Sequence, residues 1–338
     1  MKIISLILCS HNGLNRIQTT LIALANLKIP EKTSVELIFI DSTSDLSMCE
    51  FVEKMWVDLG STFHLVTQYQ NIRGKVAAMQ LGIRLSKGTY FVIIDDDNEL
   101  QSDYLLFGLE YFQNNDNVGV LGGLGRLPKG LSVPHWFDKY AYNFACGPQN
   151  IKDGNVQPNR NVVYGAGMWV LREAYEKAIV NGFHFIFDFH GSNQKMKSFN
   201  NGGEDGELCW SIIFQGYEIH YYSKLKFIHN ISPLKFSKQH KRMILDRKRK
   251  SSLLGSMYYR VYSMQNKNVK FFWLKELIYI LINYVKNIKF EYTYFTTELK
   301  RNWSNVVLLL SMNNKYDELV NQILEFKNNS LIQRMYES

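Results

Sequence analysis

Three consecutive aspartates, Asp95, Asp96 and Asp97, follow an apolar run at residues 90–94 of this 338-residue chain. Adjacent carboxylates repel one another, and burying them costs free energy unless a cation or hydrogen-bond donors neutralise them. Mg²⁺ or Mn²⁺ binds such oxygen ligands and often bridges them to substrate phosphates. A solvated acidic turn that caps a helix is the alternative, and the triplet alone leaves it open. His229, after residues 225–228, gains a role only as a partner of this metal site.

Asp41 is a further candidate, because it ends a second apolar run at residues 37–40. A carboxylate at that place can accept a hydrogen bond from a base or from a ribose hydroxyl. The polar residues 42–45 that follow are also typical of helix capping, so a structural role stays open for them.

A second acidic pair, Glu204 and Asp205, follows two glycines at the start of a helical pattern. A helix dipole stabilises acids at the N-terminus, which is the structural explanation. It does not account for Gly202 and Gly203, whose flexibility is costly unless the backbone must approach a ligand closely. A carboxylate placed there can serve as a general base that deprotonates a hydroxyl.

Motifs for several other chemistries are missing from the sequence. There is no G-x-x-x-x-G-K-[ST] loop, no G-x-G-x-x-G after the first strand, no G-x-S-x-G elbow and no H-E-x-x-H helix, which argues against P-loop NTPases, dinucleotide enzymes, serine hydrolases and zinc proteases. The four cysteines lie far apart without a C-x-x-C pair, so we expect reduced thiols rather than a disulfide framework or structural zinc site.

The elements that must position these residues alternate between strand and helix up to about residue 122. Apolar runs rich in Ile, Val and Phe predict strands at 3–9, 35–40, 63–66 and 90–94, and helical patterns cover 14–27, 48–56 and 75–85. Such alternation predicts right-handed crossovers and a parallel sheet with helices on both faces. Ligands bind beyond the carboxyl ends of strands in these sheets, and the candidate acids lie there. Residues 122–233 are less regular and predict loops and short strands built onto the sheet edge.

Taken in order, these segments resemble glycosyltransferase family 2 over about residues 1–235. The segments that carry the resemblance are Ser10-His11-Asn12, Ile40-Asp41-Ser42, the stretch from Arg73-Gly74 to Gly82-Ile83, Ile94-Asp95-Asp96-Asp97, Gly165-Ala166-Gly167-Met168, Gly203-Glu204-Asp205 and His229. The resemblance implies the GT-A fold, a Rossmann-like α/β architecture with a mostly parallel sheet. It also implies a metal-dependent, inverting transfer from a nucleotide diphosphate sugar, with a UDP sugar favoured, to a hydroxyl of a saccharide or lipid-linked saccharide. Surface polysaccharide or glycoconjugate biosynthesis is the expected setting.

The resemblance further implies a role for each candidate residue. Binding of the nucleotide sugar is assigned to Ser10, His11, Asp41, Arg73, Asp95 and Asp96. The ligands of Mn²⁺ or Mg²⁺ are Asp97 and His229. The catalytic base is Asp205, helped by Glu204, and the acceptor side is shaped by Gly167, Met168 and Trp169.

The chain is predicted to divide into a catalytic domain, 1–235, and a basic, aromatic-rich helical region, 236–338. Within the first, 1–122 would bind the nucleotide and 123–235 the acceptor. From residue 235 onward there are 19 Lys and Arg against 8 Asp and Glu. This surplus favours an anionic membrane surface, but packing of the helical region on the catalytic domain, with the lysines solvated, stays equally open. No nucleic-acid-binding motif accompanies the charge.

We expect a cytoplasmic protein, either free or peripheral on the inner face of the membrane. The polar insert at 187–201 is interpreted either as a lid over the acceptor or phosphates or as a surface loop. Two other functions stay open: a nucleotidyltransferase that makes the sugar nucleotide, and a non-catalytic scaffold of a membrane-associated complex. The sequence leaves the oligomeric state open.

Overall fold

The computed structural model describes residues 2–43, 47–72, 74–157, 160–186, 203–263, 273–274, 277–278 and 314–337. Arg73 and the whole of the 187–201 insert lie outside the described residues, as does most of the aromatic stretch after residue 263. Contacts divide the chain into two compact units, Met1–Lys248 and Arg249–Ser338.

The first unit is built on one mixed sheet, which has nine strands in the described part of the chain. The strands are β1 (Lys2–Ser10), β2 (Thr33–Asp41), β3 (His64–Tyr69), β4 (Tyr90–Asp95), β5 (Asn98–Leu100), β6 (Val118–Arg126), β7 (Gly154–Asn155), β8 (Met168–Leu171) and β9 (Glu218–His229). The helices are α1 (Ile17–Ala25), α2 (Ser47–Asp58), α3 (Lys75–Leu85), α4 (Tyr104–Asn114), α5 (Arg172–Val180) and α6 (Glu204–Phe214). Short 3-10 helices cover Asp138–Phe144 and Pro233–Phe236.

The predicted parallel half is confirmed, because β1 to β4 pair in parallel in the order β3-β2-β1-β4. Alternate residues of these strands face opposite sides of the sheet. Leu37 and Phe39 belong to the core that also contains α1 and α2, whereas Ile38 and Ile40 pack against α3. Helices therefore cover both faces, which explains why β1, β2 and β4 are apolar runs rather than alternating patterns; β3, at the edge of the sheet, is only partly buried.

The second half of the unit is woven into the sheet rather than added at its edge. Strand β8 lies between β4 and β6 and is antiparallel to both. The prediction of edge strands for residues 122–233 is therefore wrong. The physical reason is the burial of Met168, Trp169 and Val170, which are fully covered and require neighbours on both sides. The predicted boundary at residue 122 falls inside β6.

The second unit contains the end of α7 (Lys238–Ser263) and α8 (Asn314–Glu337). Met257 and Val261 of α7 and Val320 and Ile323 of α8 are buried. The ammonium of Lys327 donates a hydrogen bond to the carbonyl of Val261 at 2.8 Å. No helix within the described ranges combines the length and apolar character that crossing a membrane requires.

Candidate active site

The carboxyl ends of β1, β2 and β4 bring the first candidate residues to one rim of the sheet. In the strand register, Ser10 of β1 lies beside Asp41 of β2, and Cys9 of β1 lies beside Asp95 of β4. The backbone N–H of Ser42 donates to the carbonyl of Ser10 at 2.9 Å, which continues the pairing past the last strand residues. The rim predicted from the ends of three separate apolar runs therefore exists.

Asp41 is fully buried and has one unsatisfied oxygen. Its Oδ1 accepts hydrogen bonds from the backbone N–H of Thr43, at 2.9 Å, and from the Thr43 hydroxyl. Its Oδ2 is buried without a hydrogen-bond partner. An unsatisfied buried acceptor costs about 1–3 kcal/mol, so this oxygen is suited to receive an N–H donor from a ligand.

Asp96 connects the aspartate triplet to the loop after β1. The guanidinium of Arg16 donates to both of its carboxylate oxygens, at 2.6 and 2.7 Å, and the Ser10 hydroxyl donates to one of them. Arg16 also donates to the carbonyls of His11 and Asn12. Burial raises the pKa of Asp96, although these donors oppose the shift. Asp96 therefore fixes the end of β1 through Ser10 and, through Arg16, the following loop that carries His11.

Asp97 lies in a buried pair with His229, and the ammonium of Lys235 joins them. The Nε2 atom of His229 is 3.2 Å from Asp97 Oδ1, and Lys235 Nζ is 3.2 Å from Oδ2. Burial opposes the charged forms, but the hydrogen bond between the two partners and their opposite charges outweigh it. They lower the pKa of Asp97 and raise the pKa of His229 to about 10.

The tautomer of His229 is set by a backbone carbonyl. Nδ1 lies 2.6 Å from the carbonyl oxygen of Phe144, which can only accept, so Nδ1 carries the proton. Nε2 is thereby directed at Asp97, and in the neutral ring it offers a lone pair. This is the arrangement that orients a histidine ligand towards a metal ion.

The Asp97–His229 pair fits a divalent cation as two ligands of an incomplete set. A carboxylate oxygen and an imidazole nitrogen suit Mn²⁺, and Mg²⁺ is also commonly held by one or two carboxylates plus substrate phosphates. Within the described ranges, no group of three or more His, Cys, Asp or Glu side chains is arranged to hold a metal.

Asp205 lies in the first turn of α6, directly against the backbone of Gly165. The N–H of Gly165 donates to Asp205 Oδ2 at 2.8 Å. A Cβ atom at residue 165 would collide with this carboxylate, so any larger residue there would have to displace it. Burial, and next the charge of Glu204, raise the pKa of Asp205 to about 7. A carboxylate with this pKa is poised as a general base near neutral pH.

Lys75 links the two groups of acids, and the sequence analysis missed its role. Its ammonium lies 2.8 Å from Asp95 Oδ1 and 3.8 Å from Glu204 Oε1. Arg16 was missed as well. One signal was available for Lys75: it follows Gly74 at the start of a helix, where the dipole disfavours a cation. Asp95 is thus paired with Lys75, and the structure brings Asp95 and Glu204 to the same ammonium.

The three residues predicted to shape the acceptor side do not share one environment. Gly167 has a positive φ of 68°, and its carbonyl accepts the hydroxyl of Tyr104 at 2.6 Å. Met168 and Trp169 are fully buried, and the Trp169 ring packs near the ring of Phe112. Their side chains are core residues, because β8 lies inside the sheet.

Comparison with known proteins places residues 5–179 in a family. The family model described as Glycosyl transferase family 2 matches residues 5–179, more than half of the chain. Over 130 residues the chain is 28% identical to a poly-beta-1,6-N-acetyl-D-glucosamine synthase of Staphylococcus epidermidis. That match covers 38% of this chain and only 30% of the synthase.

Solved structures share the fold at low sequence identity. PcManGT is a mannosyltransferase from Pyrobaculum calidifontis, solved in complex with GDP-Man and Mn²⁺. It aligns with a TM-score of 0.56 at 14% identity, over 99% of this chain and 87% of the PcManGT chain. S. aureus TarS has a TM-score of 0.50 at 15% identity and covers 98% of this chain and 55% of its own. These likenesses confirm the predicted fold class.

Proposed function

The chain belongs to glycosyl transferase family 2 and is a glycosyltransferase; from that premise we propose that it transfers a sugar from a nucleotide diphosphate sugar to an acceptor hydroxyl with inversion. The observation that carries the proposal is the position of Asp41, Asp97 and Asp205. Asp41 is the last residue of β2, and Asp97 lies two residues past the end of β4 at the same rim. Lys75 connects this rim to α6, the helix that carries Asp205. One end of this site suits a nucleotide and the other suits the activation of a hydroxyl.

We propose a UDP sugar as the donor because of the hydrogen bonds of Asp41. Oδ1 is already occupied by Thr43, so only Oδ2 is available to a base. Uracil presents a single imide N–H, which one free acceptor satisfies. Guanine presents two adjacent N–H donors and would leave one unpaired, while the ring nitrogen of cytosine at the same position is an acceptor and would repel the carboxylate.

Asp97 Oδ1 and His229 Nε2 would hold Mn²⁺ or Mg²⁺ beside the diphosphate. When bound, the ion would supply positive charge to the leaving nucleoside diphosphate. The ammonium of Lys235, 3.2 Å from Asp97 Oδ2, adds a further positive charge on the same side of the site. These groups favour departure of the nucleoside diphosphate, which leaves with one more negative charge than its diphosphate carried in the donor.

Asp205 would remove the proton from the acceptor hydroxyl as the oxygen attacks the anomeric carbon. The N–H of Gly165 holds the carboxylate in one orientation, and general-base catalysis is typically worth about 10²–10⁴-fold in rate. Attack opposite the leaving diphosphate in a single displacement inverts the anomeric centre. The proton that leaves the acceptor ends on the Asp205 carboxylate.

We propose a saccharide or lipid-linked saccharide as the acceptor, in polysaccharide or glycoconjugate synthesis. A poly-beta-1,6-N-acetyl-D-glucosamine synthase among the relatives supports this setting for the part of the chain that it matches. Seven Lys and Arg between residues 238 and 250 favour a peripheral position on an anionic leaflet. Co-sedimentation with vesicles containing anionic lipid, against neutral vesicles, tests this position; equal binding to both contradicts it.

A thermal-shift screen tests the donor proposal directly. UDP with Mn²⁺ should raise Tm more than UDP alone, and more than GDP or CDP with Mn²⁺. Asp41→Asn is the matched variant. It keeps the size of the side chain but presents either an N–H or a neutral oxygen to the nucleobase. A larger rise in Tm with CDP than with UDP would overturn the assignment of uracil as the nucleobase.

A further inference from the structure

Lys75 occupies a position that helix stability does not explain. It is the first residue of α3, where the helix dipole disfavours a positive charge. Its side chain is 34% exposed, and that of its partner Asp95 is 28% exposed, so water screens the pair only in part. A lysine in this place needs acidic partners, which the fold supplies from two other elements.

The partners of Lys75 come from β4 and α6. Asp95 Oδ1 is 2.8 Å from the ammonium, and Glu204 Oε1 is 3.8 Å away. Asp205 follows Glu204 in the first turn of α6. One cation therefore ties the aspartate turn on the nucleotide side to the helix that carries the base.

The charged and titratable groups that act on Asp205 can be named element by element. Besides burial, Glu204 on its own helix, Lys75 on α3 and Asp95 at the end of β4 shift the pKa of Asp205. Together with burial, the charge of Asp205 in turn raises the pKa of Cys209, on the same helix, and of Tyr142, in the 3-10 helix Asp138–Phe144. Of this set, all in the described part of the chain, Lys75 carries the positive charge. The acids would otherwise repel one another across the site.

We propose that Lys75 is a positioning residue which ties the aspartate turn to the acid pair and keeps Asp205 ionised for its role as the base. This inference rests on the proposed function, since it concerns the base of that reaction. Without the ammonium, Asp95, Glu204 and Asp205 would face one another unneutralised. Asp205 would then hold its proton to higher pH and deprotonate fewer acceptor molecules.

The test measures the ionisation of Asp205 without using turnover. The free energy of unfolding is measured against pH for two pairs of proteins: the wild type with D205N, and Lys75→Met with the double variant K75M/D205N. The difference within each pair is the stability that D205N adds. The positive charge of Lys75 lowers the pKa of Asp205, and loss of a nearby opposite charge typically moves a pKa by about 1–3. In the K75M background, the pH at which the stability added by D205N reaches its plateau should therefore rise by about one pH unit or more. Superimposable curves in the two backgrounds would overturn the proposal.

Two further variants separate charge from structure. Lys75→Arg keeps the charge and should leave the curve near that of the wild type, whereas a shift as large as that of K75M would contradict the charge argument. Lys28→Met removes a lysine from the surface pair with Asp103 and should move nothing. Turnover is measured in parallel: no transfer by the wild type would reject the proposed function, while the stability curves still decide the role of Lys75.

Discussion

Replacing Asp205 by asparagine tests the base and its surroundings together. The amide has the same size, and its oxygen can still accept the N–H of Gly165, which now donates to Oδ2 at 2.8 Å. The variant loses the negative charge and the ability to take a proton. We expect kcat to fall by about 10²–10⁴-fold. The affinity for UDP should be retained, because the proposed contact with uracil lies at Asp41.

The same substitution should stabilise the fold in a pH-dependent manner. Burial raises the pKa of Asp205 from 3.8 to about 7. The folded protein then binds this proton more tightly than the unfolded chain does, so the contribution to stability is present at low pH and is lost as pH rises through 7. A difference of about 3 pH units is worth about 4 kcal/mol. D205N should exceed the wild type by about 4 kcal/mol at pH 8, and by about 2 kcal/mol at pH 5.

Urea unfolding at the two pH values and UDP release in a coupled assay measure these effects. Asp103→Asn is the matched control, because Asp103 belongs to the surface pair with Lys28, and it should change stability by less than about 0.5 kcal/mol. Turnover by D205N near the wild-type rate would remove Asp205 from the role of base. A stability gain that is equal at pH 5 and pH 8 would refute the reasoning about its pKa.

Three other substitutions probe the remaining parts of the site. Asp97→Asn should abolish the extra rise in Tm that Mn²⁺ adds to UDP while leaving the rise with UDP alone; an undiminished Mn²⁺ effect would exclude this ligand. Arg16→Met removes two hydrogen bonds to Asp96 and should cost about 2 kcal/mol in urea unfolding and weaken UDP binding by calorimetry. Gly165→Ala should displace the Asp205 carboxylate and lower kcat at least tenfold at unchanged UDP affinity, and a normal rate would show that the carboxylate need not touch this backbone.

Much of the fold was predictable because local patterns record burial. The strands predicted at 3–9, 35–40, 63–66 and 90–94 correspond to β1 to β4, and the predicted helix at 75–85 corresponds to α3. Residues buried on both faces of a sheet are apolar without alternation, so these runs were visible. The place of β8 was not, because a four-residue strand carries no signal for its neighbours in the sheet.

The roles of individual acids depended on partners far away in sequence. The triplet looked uniform, yet Asp95 pairs with Lys75, Asp96 with Arg16, and Asp97 with His229. Each partner comes from a different element. Spacing along the chain could not separate these three environments.

The order of residue types along the chain indicated which chemistry was available: carboxylates after apolar runs, an acid pair behind glycines, and a family pattern that the family model matches over residues 5–179. Folding is what sets which carboxylate meets which cation, which oxygen of Asp41 stays without a donor, and why the pKa of Asp205 is raised to about 7. The physical reason is that hydrophobic periodicity is a local property of the chain. Electrostatic environment is instead set by burial and by charges that folding brings together from distant segments.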